Sequence, residues 1–152
     1  MKYAHVDLGE KYARGVVAGR IPACRWVVLA CERHFRDRKR RAWTYRFDAS
    51  KAERASKFVE LFPHTKGKWA AKHDQFVLEP WQCFLILSLF GWVYRSGPKK
   101  GKRRFTRAML LVPRKNGKSD LGARIGLKFF ADDEEFGAEV YSGATSEDQA
   151  WE

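Results

Sequence analysis

Apolar positions recur at helical spacing through the first third of the chain. Between Tyr3 and Val17 they fall at Leu8, Tyr12 and Val16, which predicts a helix ending near Gly19. Pro22 can open a second helix, whose apolar face is Trp26, Val27, Ala30, Cys31, His34 and Phe35. The arginines beyond Phe35 leave that period, so the end of this helix should project into solvent or onto an anion. A third helix is marked by Ser50 and Glu53 in capping-box spacing ahead of Ala55, Phe58, Val59 and Phe62, and Pro63 closes it. Between Pro63 and Asp74 the pattern lapses, which puts a boundary between a helical module, 1–75, and a second portion, 76–152.

The second portion has a different texture. Glu79-Pro80 starts a helix that is apolar all round: Trp81, Phe84, Leu85, Leu89 and Trp92 on one face, Cys83, Ile86, Leu87 and Phe90 on the other. A helix without a polar face belongs in a core. A basic turn over 97–104 then leads into Phe105 to Val112, which reads as a buried strand. After Pro113 to Ser119 a helix is expected from Lys118 to Phe130, with Leu121, Ile125 and Lys128/Phe129 on one face. An acidic turn (Asp132 to Glu135), a second strand (Ala138 to Ser142) and a helix after Thr145 complete the chain.

Composition narrows the class. With 45% hydrophobic and 14% aromatic residues the chain carries too much apolar surface for a solvated tail, so it should fold or pack on a partner. The longest apolar segment, Trp81 to Tyr94, is interrupted by Gln82, Ser88 and Gly91 and is too short to span a bilayer; no signal peptide opens the chain, and an intracellular, soluble protein is expected. Three cysteines make no disulfide framework and suit a reducing compartment. Cys24, Cys31 and His34 are close in sequence, but zinc usually needs four ligands and Cys31 and His34 share the apolar stripe, so helix packing is the better reading.

Charge adds a partner. The formal net charge is +12, concentrated in residues 33–41 and 99–104, which favours a polyanion over a merely solvated face once a phosphate-binding motif is present. That motif is strand, tight turn, Gly117-Lys118-Ser119, helix. A helix N-terminus offers unpaired N–H groups and partial positive charge to a phosphate. Gly117 lets the backbone approach, Lys118 can bridge the terminal phosphates and the Ser119 hydroxyl can ligate Mg²⁺. The first glycine of the full pattern is missing, its place being taken by Val112. Arg114 and Lys115 add two cations suited to a triphosphate and to charge developing on a transferred phosphoryl group; a surface cation without fixed partner is the alternative for Arg114.

The run Leu110-Leu111-Val112-Pro113-Arg114-Lys115-Asn116-Gly117-Lys118-Ser119 resembles the deviant Walker A motif of the large terminase subunits of tailed bacteriophages, which lacks the first glycine and carries an arginine in the loop. Leu78-Glu79-Pro80-Trp81-Gln82 with Phe90-Gly91-Trp92 is similar to the segment upstream of that loop, Arg103-Arg104-Phe105 to its lead into the first strand, and residues 138–150 to the strand and helix that follow. Trp26 to Arg33 fits the helical N-terminal region. The resemblance implies an α/β fold: an N-terminal helical module followed by the first part of a P-loop, ASCE-type parallel-sheet ATPase domain, truncated.

It also implies a site. Lys118 and Arg114 become the candidate catalytic residues, and Trp81, Gln82, Arg114, Lys115, Asn116, Gly117, Lys118 and Ser119 the candidate ATP-binding set, with Ser119 on Mg²⁺. Gln82 would read the adenine edge with Trp81 beside it; a capping Gln and a core Trp are equally open. Thr145 and Gln149 could lie near nucleotide or DNA, or simply begin a helix. The implied partners are double-stranded DNA, the portal, the small terminase subunit and other copies in a ring, in the cytoplasm of an infected bacterium. The acidic residues that hold Mg²⁺ and activate water, and the nuclease carboxylates, cannot be placed in this chain, so a fragment inactive alone is expected. A non-enzymatic basic nucleic-acid-binding module, with Trp43, Tyr45 and Phe105 interleaved among the cations, is the competing reading; a small P-loop kinase is a weaker third, since nothing supplies an acceptor site.

Overall fold

A computed structural model describes residues 2–64, 74–132, 139–141 and 143. The elements, in chain order, are α1 (Ala4–Val17), α2 (Arg25–Arg38), β1 (Tyr45–Phe47), α3 (Ala49–Glu60), α4 (Pro80–Gly91), β2 (Trp92–Tyr94) and α5 (Lys118–Asp132). They fall into two compact units, Met1–Leu110 and Leu111–Glu152. The first unit runs through residue 75, because α4 packs on both α1 and α3. Among the described residues no helix is long and apolar enough to cross a membrane.

The centre of the first unit is α4. Cys83, Phe84, Ile86, Leu87 and Phe90 are all buried, as expected for a helix with no polar face. Pro80 occupies its first turn, where a missing N–H costs nothing, and Gln82 Oε1 accepts the Glu79 N–H at 2.8 Å. Helix α1 presents Val6, Gly9, Ala13 and Val16, three or four residues apart, to this core, while Leu8 stays 36% exposed. Gly9 is there because the helices touch: a β-carbon on it would stand 2.5 Å from Leu87 Cδ2, 2.9 Å from the Phe84 nitrogen and 3.0 Å from the Cys83 carbonyl carbon. Two of these are backbone atoms that cannot step aside. Gly9→Ala should therefore destabilise the unit by about 1–3 kcal/mol despite the better helix propensity of alanine, as read by urea denaturation.

Three sequence expectations are corrected here. Trp26, expected on the buried face of α2, is 74% exposed; Cys31 and His34 carry that face. Helix α3 is capped by Asp48, whose Oδ1 accepts the Lys51 N–H at 3.1 Å, not by Ser50. Glu53 is thereby released from any capping box and turns instead to α1. Finally, the apolar run of α4 does not continue helically to Trp92. Gly91 ends it, because the Phe47 ring and Ala52 Cβ occupy the space of a side chain there, and the chain passes directly into β2. Antiparallel pairing sets Tyr45 opposite Tyr94, Arg46 opposite Val93 and Phe47 opposite Trp92. A turn with Gly97 and Gly101 at φ 80° and 82° then returns the chain, so that Arg104 N–H donates to the Trp92 carbonyl at 2.8 Å.

Polar groups inside the first unit are paired with one another. His34, 3% exposed, accepts the Trp92 indole N–H on Nδ1 at 3.3 Å; its proton is therefore on Nε2, directed at Glu10 Oε1, also at 3.3 Å. That hydrogen bond, with Arg38 and Arg14 nearby, holds the Glu10 carboxyl below the usual range against the pull of burial. The Cys31 and Cys83 thiols are pushed up by burial to about 11 and about 12, so neither forms a thiolate readily.

A second cluster joins α1 to α3. The His5 ring lies between two carboxylates, Nδ1 at 2.9 Å from Glu53 Oε1 and Nε2 at 2.8 Å from Glu60 Oε2. Glu53 also accepts the His5 N–H and the Val6 N–H, and Glu60 Oε1 accepts the Leu78 N–H at 2.7 Å. Burial pulls the His5 pKa down, but hydrogen bonds to Glu53 and Glu60 and their charges outweigh it, leaving the pKa raised above 6.5. A raised folded-state pKa gives stability that is complete below the unfolded value and fades as pH climbs through the folded one. The wild type should thus lose stability as pH rises above the unfolded value of about 6.5, and His5→Gln should flatten that part of the profile in denaturant titrations.

Residues 105–113 correct a fourth expectation. They form no strand among the described residues, and Met109 and Leu111 are 84% and 80% exposed. An apolar run becomes a buried strand only when neighbours satisfy its N–H and C=O groups, and no described residue does so for the expected strand, 105–112. The sheet present, β1 with β2, is antiparallel and lies elsewhere. In the second unit α5 runs two residues beyond the expected Phe130; of the expected face Leu121 and Lys128 are buried and Ile125 and Phe129 half-buried, and Arg124, outside that expected face, is buried with them. Arg124 pairs with Asp120 one turn earlier (3.0 and 3.3 Å), and Lys128 with Asp132 (3.1 Å). Residues 139–141 carry no strand; the remainder of the expected second strand, the acids 133–135, Thr145 and Gln149 lie outside the described residues.

Candidate phosphate-binding turn

Pro113 to Ser119 form a tight turn at the mouth of α5. The Gly117 carbonyl accepts the Leu121 N–H at 2.9 Å, which is the first hydrogen bond of the helix. Gly117 has φ 65°, a conformation open to glycine at no steric cost. Asn116 closes the turn from within: its Nδ2 donates to the carbonyls of Pro113 and Arg114, each at 3.3 Å. This side chain thereby does the work that backbone pairing would otherwise do, and it leaves the amides alone. Among the described residues the backbone N–H groups of Lys115, Gly117, Lys118 and Ser119 have no acceptor, and the Ser119 hydroxyl has no hydrogen-bond partner.

Lys115 has φ 66°. A lysine in the left-handed region is strained by roughly 1–3 kcal/mol, and such strain is commonest at ligand clamps and switch regions. The sequence identified Lys115 as a cation of the turn, but not its left-handed backbone. No signal could have found it, because lysine has no preference for that conformation; asparagine, one position on, is the residue that does.

Arg114, Lys115 and Lys118 are all exposed on this turn, and the Asp120 carboxylate is drawn along the helix to Arg124. The result is an electropositive, donor-rich turn at a helix N-terminus, suited to an anion with several oxygens. A free hydroxyl beside such amides also fits a Mg²⁺ carried in with a phosphate, since that ion keeps most of its water and takes few protein ligands.

The other candidate residues belong to the first unit. Trp81 is half-buried on α4, and Gln82 is 4% exposed with its Oε1 committed to the Glu79 N–H. The capping role left open by the sequence is thus occupied.

A donor-rich turn opening a helix, preceded by an apolar segment, defines a candidate nucleotide-binding protein of mixed α and β structure. Residues 80–152 match the family described as "Terminase large subunit, ATPase domain". That segment, a little under half of the chain, is what is similar to the large terminase subunits. No curated protein and no solved structure matches the chain.

Proposed function

We propose that the turn from Pro113 to Ser119 binds Mg²⁺–ATP as part of a phage DNA-packaging motor, in which ATP hydrolysis drives translocation of double-stranded DNA into a procapsid. The observation that carries this reading is the set of unpaired amides of Gly117, Lys118 and Ser119 at the mouth of α5, lying within the segment similar to the ATPase domain. In it Lys118 bridges the β- and γ-phosphates and Arg114 stabilises charge on the transferred group. Lys115, Asn116 and Gly117 line the turn, and the Ser119 hydroxyl holds Mg²⁺, which when bound neutralises charge on the phosphates. The division of labour at residue 75, the portal, small-subunit and ring contacts, and action in the cytoplasm of an infected host belong to the same proposal.

Fluorescence titration with a labelled ATP analogue tests it. Saturable binding that tightens with Mg²⁺ and is competed by ATP supports it; no binding at millimolar nucleotide removes it. The second reading, a basic nucleic-acid-binding module without nucleotide chemistry, is favoured by the crowding of cations around Arg104 described next.

A further inference from the structure

The two basic runs are far apart in sequence but meet in the fold. Segment 33–47 holds seven arginines and lysines, segment 92–104 holds six, and Asp37 is the one acid in either. β1 and β2 pair these segments, the Arg95 N–H donates to the Thr44 carbonyl at 2.8 Å, and Arg104 Nη1 reaches Asp37 Oδ2 at 2.7 Å. Asp37 is 3% exposed and is also approached by Arg36 (3.8 Å) and Arg40 (3.7 Å). Thus the acid is spent inside, joining the runs, and offers nothing to the cations outside. Lys39, Arg41, Arg95, Lys99, Lys100 and Lys102 are exposed, and none has a carboxylate within ion-pair distance among the described residues. Holding so many like charges on one surface works against folding. A polyanion relieves that repulsion.

The same cluster says how the polyanion is met. The Arg104 guanidinium lies over Trp43 (4.5 Å), Phe105 (4.6 Å), Tyr45 (5.0 Å) and Trp92 (5.6 Å). Arg40 takes Trp43 as well (4.7 Å), and Arg33 takes Phe105 (4.9 Å). Rings already stacked by guanidinium groups are poor platforms for nucleobases. Base stacking by Trp43, Tyr45 and Phe105, as in a single-strand binder, is therefore disfavoured. What remains outward is ammonium and guanidinium charge, which reads phosphate and not sequence.

We infer that the joined segments 33–47 and 92–104 form a single docking surface for the phosphate backbone of duplex DNA, without base stacking. This deepens the DNA-handling part of the proposed function, and because it needs no nucleotide it stands or falls separately from ATP binding. A duplex is favoured over a single strand because its phosphates are more closely spaced, one charge per about 1.7 Å of axis.

The test is fluorescence anisotropy with the full chain, no nucleotide, and labelled duplex or single strand of equal length across a salt series. Duplex affinity should fall linearly in log–log form with salt and exceed single-strand affinity. Lys99→Gln, Lys100→Gln and Lys102→Gln together should lower the salt slope by up to about three. Lys11→Gln, Arg20→Gln and Lys57→Gln together, the same charge change outside the two runs, should leave most of the slope, and Lys118→Ala should keep duplex affinity. Preference for the single strand, equal losses in both triple variants, or binding to phosphatidylserine vesicles with none to duplex would each overturn the inference. Matching circular dichroism spectra for both triple variants ensure that lost binding is not lost folding.

Discussion

Lys118→Ala is expected to weaken ATP binding about ten- to a hundredfold, measured by titration with a labelled analogue in Mg²⁺. The figure follows from one charge-assisted contact to a phosphate, about 1.5–3 kcal/mol. The change should not disturb the fold: Lys118 is exposed at the first position of α5, and alanine is a strong helix former. Lys118→Gln, which keeps length and loses charge, should fall nearly as far. Unchanged affinity in both variants would end the phosphate-bridging role, since the amides of the turn would then be holding the nucleotide unaided. Gly117→Ala should act by another route, forcing a β-carbon into φ 65° and moving the amides themselves.

Asp37→Ala is expected to cost the first unit about 3 kcal/mol, with the melting temperature down by roughly 10 °C. Its carboxylate is 2% exposed, and Arg104, against it at 2.7 Å, has only 17% of its side chain in water. Removing the acid leaves a guanidinium enclosed by four aromatic rings without its counter-charge, beside Arg33, whose own pKa is lowered by burial and then by the charge of Arg104. Adding Arg104→Met should recover part of the loss, since the uncompensated charge goes with it. A single-variant effect within about 0.5 kcal/mol would mean that water screens the pair as at a surface.

What was legible in the sequence is what local chemistry decides. Pro80 at a first helical turn with Gln82 three residues after Glu79 announces α4, and Gly117-Lys118-Ser119 announces the mouth of α5. The helical period shows that α1, α2 and α3 exist, but not which side each turns inward. Leu8 and Trp26 lie on apolar stripes by spacing, yet the neighbouring helices cover other parts of those surfaces. Strands of three residues are too short to show a period of two, so Trp92 reads as the tail of a helix, which in the structure ends at Gly91 against the Phe47 ring.

Long-range pairing was not legible at all. Arg104 and Asp37 are 67 residues apart, and His5 finds Glu53 and Glu60 across 48 and 55. In the candidate site the residue types were readable and the conformation only partly, Gly117 by its identity and Lys115 not at all. The segment 105–113 shows the limit from the other side: its apolar residues state a preference for burial, and only a flanking strand can fulfil it.

The β1–β2 ladder clasps the first unit at Tyr45 and Tyr94, so everything between them, including α3 and α4, is one closed excursion of the chain. A backbone scission between Glu60 and Pro80 would give two polypeptides still gripping each other through α1, α3 and α4 on one side and the ladder on the other. The halves should elute together from a sizing column and come apart only in denaturant.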